Sequence, residues 1–83
     1  MATATYTLDA NDGWVEVAEP GEDFMIEMMS PGALRVTLQD SAPASDAPFH
    51  KLTYREVLVR TGTGAAYIRN PNATAPATVV VSV

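Results

Sequence analysis

The chain reads as all-β: a small antiparallel sandwich or barrel of about seven short strands with one long loop at about residues 40–55. Three observations predict this. Apolar and polar residues alternate with a period of two over several short runs, as in strands with one face buried. Turn sequences built on glycine and proline separate those runs. The final stretch, Thr78-Val79-Val80-Val81-Ser82-Val83, is almost wholly β-branched, which suits a pleated sheet.

Thr5-Tyr6-Thr7-Leu8 is the first strand, ended by the turn formers Asp9-Ala10-Asn11-Asp12-Gly13, in which Gly13 accepts positive φ. Trp14-Val15-Glu16-Val17 is the second, with Trp14 assigned to the core because it buries the largest area on offer. Glu19-Pro20-Gly21-Glu22 turns the chain into a strand over residues 23–29. There Phe24, Ile26 and Met28 share one face, and Met25, Glu27 and Met29 the other. Ser30-Pro31-Gly32 leads to residues 33–39, with Leu34, Val36 and Leu38 inward and Arg35, Thr37 and Gln39 outward, and these two strands are expected to form a hairpin. Residues 40–55 break the rhythm. Asp40-Ser41-Ala42-Pro43-Ala44-Ser45-Asp46-Ala47-Pro48 cannot enter a sheet interior. Its far end packs back through Phe49, Leu52 and Tyr54, with room for a short helical turn. A connection this long in a small domain is usually functional or mobile. Strand resumes at 56–60, Thr61-Gly62-Thr63-Gly64 turns it, and residues 65–69 with the terminal valine run are expected to make a closing hairpin. No repeat or boundary interrupts residues 1–83, read as a single β domain.

A chain of 83 residues builds only a small core, with little net stability to spare. No cysteine is present, and a lone histidine makes a structural zinc site implausible. Burial against another copy or a larger surface is the remaining common device. A hydrophobic fraction of 47% with 18% charged residues is a folded composition. No run approaches the ~20 apolar residues of a membrane span, and Met1-Ala2-Thr3-Ala4-Thr5 lacks the features of a secretory signal, so export by that route is not expected. A net charge of −5 argues against binding nucleic acid. Residues 1–46 carry nine acids and one base, whereas residues 47–83 carry Glu56 against Lys51, Arg55, Arg60 and Arg69. The two halves attract, either by cross-strand pairing within one fold, the simpler reading, or by head-to-tail contact between subunits.

Enzyme vocabulary is sparse. No pair among the ten carboxylates is singled out by spacing, and Ser41, Ser45, Asp46 and His50 read as a polar loop rather than a triad. Asp9-Ala10-Asn11-Asp12-Gly13 has Pro20 where a helix-flanked calcium loop needs glutamate, so an Asx turn is the better reading. Asn72-Ala73-Thr74 fits a glycosylation sequon and is read as loop chemistry. No catalytic residue, cofactor or metal ligand is assigned. Methionines on both faces of the 23–29 strand put one face on the core and the other on the sheet rim or a second subunit, unless both are interior.

Trp14-Val15-Glu16-Val17, the Pro-Gly turn at 20–21, the Ser-Pro-Gly turn at 30–32, Gly64-Ala65-Ala66-Tyr67-Ile68-Arg69-Asn70 and the valine-rich end together resemble small all-β virion structural proteins of tailed bacteriophages. The resemblance spans most of the chain and brings no fixed site motif. It implies a non-enzymatic capsid decoration or cement subunit that binds the major capsid protein, commonly as a homotrimer over lattice junctions. Such a subunit sits on the capsid surface of the virion after synthesis in the host cytoplasm. Related modules in tails and fibres make a carbohydrate-binding or adhesion module the alternative, with Trp14 and Tyr67 as stacking platforms. The candidate interface residues are Met25, Met29, Tyr67, Arg69 and Val80, with Phe49 and Tyr54 on the long loop facing the capsid.

Overall fold

Eight strands form in chain order: β1 (Thr3–Leu8), β2 (Val15–Ala18), β3 (Phe24–Met28), β4 (Ala33–Leu38), β5 (His50–Thr53), β6 (Val57–Arg60), β7 (Ala66–Arg69) and β8 (Ala77–Ser82). One turn of 3-10 helix, Ala10–Asp12, joins β1 to β2. The computed structural model describes residues 2–62 and 64–83; Met1, and Thr63 of the expected 61–64 turn, lie outside the described residues. The first sheet has the order β1-β8-β3-β6 and the second β2-β7-β4-β5, with every neighbouring pair antiparallel. The pairs β4 with β5, β3 with β6, β2 with β7 and β1 with β8 are those of one long hairpin rolled on itself. That is the double-sheet jelly roll, a form of the antiparallel sandwich.

Alternation decides which side chains fill the space between the sheets. Phe24, Ile26 and Met28 of β3 are buried while Met25 is not, and Leu34 and Val36 of β4 enter the core alongside Ile68 and Ala66 of β7, Val36 in register with Ile68. Each such aliphatic or aromatic side chain stabilises the fold by about 1.5–3 kcal/mol when fully buried. The valine run suits β8 because β8 is central, flanked by β1 and β3, with Val79 and Val81 inward. β7 is the central strand of the other sheet, between β2 and β4.

Sequential pairing is where expectation and structure part. β3 and β4 lie in opposite sheets, as do β7 and β8, so neither expected hairpin forms. A Pro-Gly reversal serves equally well when the returning strand hydrogen-bonds to its predecessor or crosses to the facing sheet, and both outcomes bury the same alternate residues. Ser30 Oγ accepts the Thr78 amide at 3.0 Å, fastening the β3–β4 arch to β8. Only β4 and β5 pair in sequence, and they do so through the long loop. β5 falls inside the segment read as loop, which therefore ends at residue 49; the strands number eight because of it. Trp14 precedes β2 and is half-buried outside the core cluster, its indole N–H donating to the Ala44 carbonyl at 3.0 Å.

Candidate functional site

The two outer faces of the sandwich differ in chemistry. On the first sheet, register lines up Thr3, Ser82, Met25 and Val59 in one row, and Thr5, Val80, Glu27 and Val57 in the next. Beyond β3 the ladder continues, since Arg55 N donates to Met28 O and Met28 N to Glu56 O, which brings the 54–56 turn beside Met29. Among the described residues, Met25 (40% exposed), Met29 (45%), Val57 (48%) and Val59 (58%) are four of the six large apolar residues left in water. All four project from this one face, where contiguous apolar surface ordinarily marks a contact site.

The outer face of the second sheet carries charge. Lys51 of β5, Arg35 of β4 and Arg69 of β7 stand in register across three adjacent strands. The next row sets Thr37 beside Tyr67, and Tyr67 beside Glu16. The Tyr67 phenol hydrogen-bonds to the Glu16 carboxylate, and burial together with that negative charge raises its pKa. Thr37 and Tyr67 are buried although they point outward. Contacts to the 39–49 loop explain this: it bonds to Trp14 at Ala44, accepts Arg69 Nη1 at the Ser45 carbonyl (3.1 Å), and sets the Phe49 ring 4.4 Å from the Arg35 guanidinium carbon. The loop is thus a strap across the sheet, closed by its own Ala47 N to Ala44 O bond.

The β5–β6 turn is closed by its own hydrogen bonds. Thr53 donates its amide (2.6 Å) and its hydroxyl to Glu56 Oε1, and Glu56 N returns to Thr53 O at 3.0 Å. The Thr53 bonds, helped by the Lys51 charge, hold the Glu56 carboxyl below its ordinary value. Arg55 there adopts φ 71°, the left-handed region, and its guanidinium lies 5.1 Å from the Tyr54 ring.

The interface residues expected from sequence are therefore divided. Met25, Met29 and Val80 share the first sheet's outer face, whereas Tyr67 and Arg69 lie on the second sheet's, with the core between them. Phe49 stacks on Arg35, and Tyr54 tips the β5–β6 turn. Val57 and Val59 alternate with Leu58, and spacing alone does not say which side is inward; the structure packs Leu58 against the core and sends both valines outward. Cross-strand pairing of opposite charges is overturned: none of the register pairs sets an acid opposite a base, and Arg35 instead faces Lys51 and Arg69.

The loops are occupied by local bonds. Asp12 Oδ2 accepts the Asp9 amide at 2.8 Å, and Asn72 Oδ1 accepts the Thr74 amide and hydroxyl. These loops border an open cleft of about 400 Å³ lined by Asp9, Asn11, Asn72 and Thr74 among others. No hydrogen bond links Ser41, Ser45, Asp46 and His50 to one another among the described residues. Among those residues no group of three His, Cys, Asp or Glu side chains is placed to hold a metal, and no helix is long and apolar enough to cross a membrane. Compared with known protein families, curated proteins and solved structures, the chain matches none.

Proposed function

We propose that this chain is a non-enzymatic structural subunit that binds a larger surface through the outer face of its first sheet. In the setting its resemblance implies, it is a capsid decoration or cement protein of a tailed phage, held as a homo-oligomer, a trimer by that resemblance, on the major capsid protein. The observation supporting this is the gathering of Met25, Met29, Val57 and Val59 on one exposed sheet face. Covering such a face returns about 25 cal/mol per Å² of apolar area, and methionines adapt their shape to the surface they meet. The sugar-stacking alternative has less to stand on, because Tyr67 is buried and Trp14 half-buried beside the strap.

The test is co-sedimentation with capsids assembled from the major capsid protein that this proposal requires among the neighbouring genes. Wild type is expected to pellet with them. Val59→Asp, at an exposed position, is expected to keep the β circular-dichroism spectrum and to bind at least about tenfold more weakly, as desolvating a carboxylate in an apolar contact requires. A wild type that stays in the supernatant, or a folded Val59→Asp that binds equally well, refutes the proposal.

A further inference from the structure

We propose that the second sheet carries a head-to-tail contact between copies of this chain, in which the acidic margin at β2 of one copy receives the basic margin at β5 of the next. The order β2-β7-β4-β5 makes these two strands the opposite edges of one sheet. At the β2 edge, Glu16, Glu19 and Glu22 line an open cleft of about 330 Å³ with Val17 and Ala18; Glu16 also meets the Tyr67 phenol and Glu22 Oε1 accepts the Glu19 amide at 2.7 Å, so the Glu19 carboxylate is the one the contact relies on. At the β5 edge, Lys51 is exposed and begins the cation row that runs through Arg35 to Arg69.

Like charges directly opposite one another destabilise a sheet, and this row has three. The chain's own acids do not relieve it in register. Glu56 feels the Lys51 charge, but its Oε1 already accepts two bonds from Thr53. An anionic partner from outside relieves the repulsion at Lys51, the exposed end of the row, and the second copy supplies one; Arg35 and Arg69 lie under the strap, against the Phe49 ring and the Ser45 carbonyl. Because the two margins are complementary to each other and not to themselves, a two-fold contact would set cation on cation; the matching arrangement is heterologous. A register shift between Glu16 and Ala18 interrupts β2 as a ladder edge, so charged side chains rather than an extended backbone ladder hold the contact. This contact lies on the sheet opposite the proposed capsid-binding face and does not depend on it.

Sedimentation velocity of the purified chain tests it. Wild type is expected to self-associate at micromolar concentration in low salt, and to dissociate as salt shortens the screening length from about 30 Å at 0.01 M to about 3 Å at 1 M. Lys51 and Glu19 are exposed and their side chains make none of the bonds that hold the fold, so Lys51→Glu and Glu19→Lys are expected to fold normally by circular dichroism. Each alone should weaken association by about tenfold or more, and the double variant, or a mixture of the two singles, should restore it. A wild type monomeric throughout at low salt, single reversals without effect, or a double variant no better than the singles would overturn the inference. So would loss of association in Val59→Asp, which is expected to keep it; that variant separates failure here from failure of capsid binding.

Discussion

Asn70→Ala removes a buried side chain that ties three segments together. Asn70 is 2% exposed; its Nδ2 donates to the carbonyls of Leu8 and Ala75, each at 2.9 Å, and its Oδ1 accepts the Asn72 amide at 2.9 Å. Leu8 ends β1 and Ala75 lies just before β8, so this one amide fixes the corner where β1 ends and its partner β8 begins. A net ~0.5–1.5 kcal/mol for each of the three bonds amounts to about 3 kcal/mol. A domain of this length has roughly 4–12 kcal/mol in total, so the loss is a large share of it. The expected fall in melting temperature is about 15 °C. Urea and thermal unfolding followed by far-ultraviolet circular dichroism measure both quantities. Asn72→Ala is the control, because its side-chain bonds to Thr74 sit in an exposed loop, and it is expected to cost no more than about 0.5 kcal/mol. Asn70→Asp, which turns two donors into acceptors facing carbonyl oxygens, is expected to be worse than alanine at neutral pH. A loss below about 1 kcal/mol in Asn70→Ala, or an equal loss in the Asn72 control, refutes the reasoning.

The remaining predictions concern the β5–β6 turn. Arg55 occupies the left-handed region at φ 71°, which costs a side-chain-bearing residue about 1 kcal/mol, so Arg55→Gly is expected to raise the urea midpoint despite losing the contact with Tyr54. A midpoint at or below wild type contradicts this. Glu56 has its folded pKa held below 4.5, so its contribution is present above that value and is lost as pH falls through the folded pKa. Stability is therefore expected to decline on acidification more steeply in wild type than in Glu56→Gln; parallel stability curves would sink the assignment.

Burial in alternate residues is legible in the sequence, because a strand's side-chain period depends only on which groups leave water. Phe24, Ile26 and Met28 lie inward and Met25 and Met29 outward, as their spacing requires. The apolar face is half visible for the same reason: Met25, Met29 and Val80 stand out along the chain, while for Val57 and Val59 alternation with Leu58 leaves open which side faces the core. β5 is hidden because only Leu52 of its four residues is buried, leaving too little alternation to distinguish strand from loop. Trp14 departs from expectation because the burial expected of an indole does not say what buries it; here its N–H holds the strap.

The residues themselves determined an all-β chain, its turns and the facing of its strands, since these follow from local conformational preference and from the period of apolar residues. Tertiary structure alone decided which strands became neighbours, because a turn reverses the chain without choosing between a hydrogen-bonded partner and the facing sheet. That choice rolled the chain so that β7 and β8 each took the centre of a sheet. It also brought Arg35, Lys51 and Arg69, far apart along the sequence, into one line across the second sheet. Charge along a chain is one-dimensional, and only the register of β5, β4 and β7 turned it into a basic row that starts at the β5 edge of a sheet whose β2 edge carries an acidic cleft.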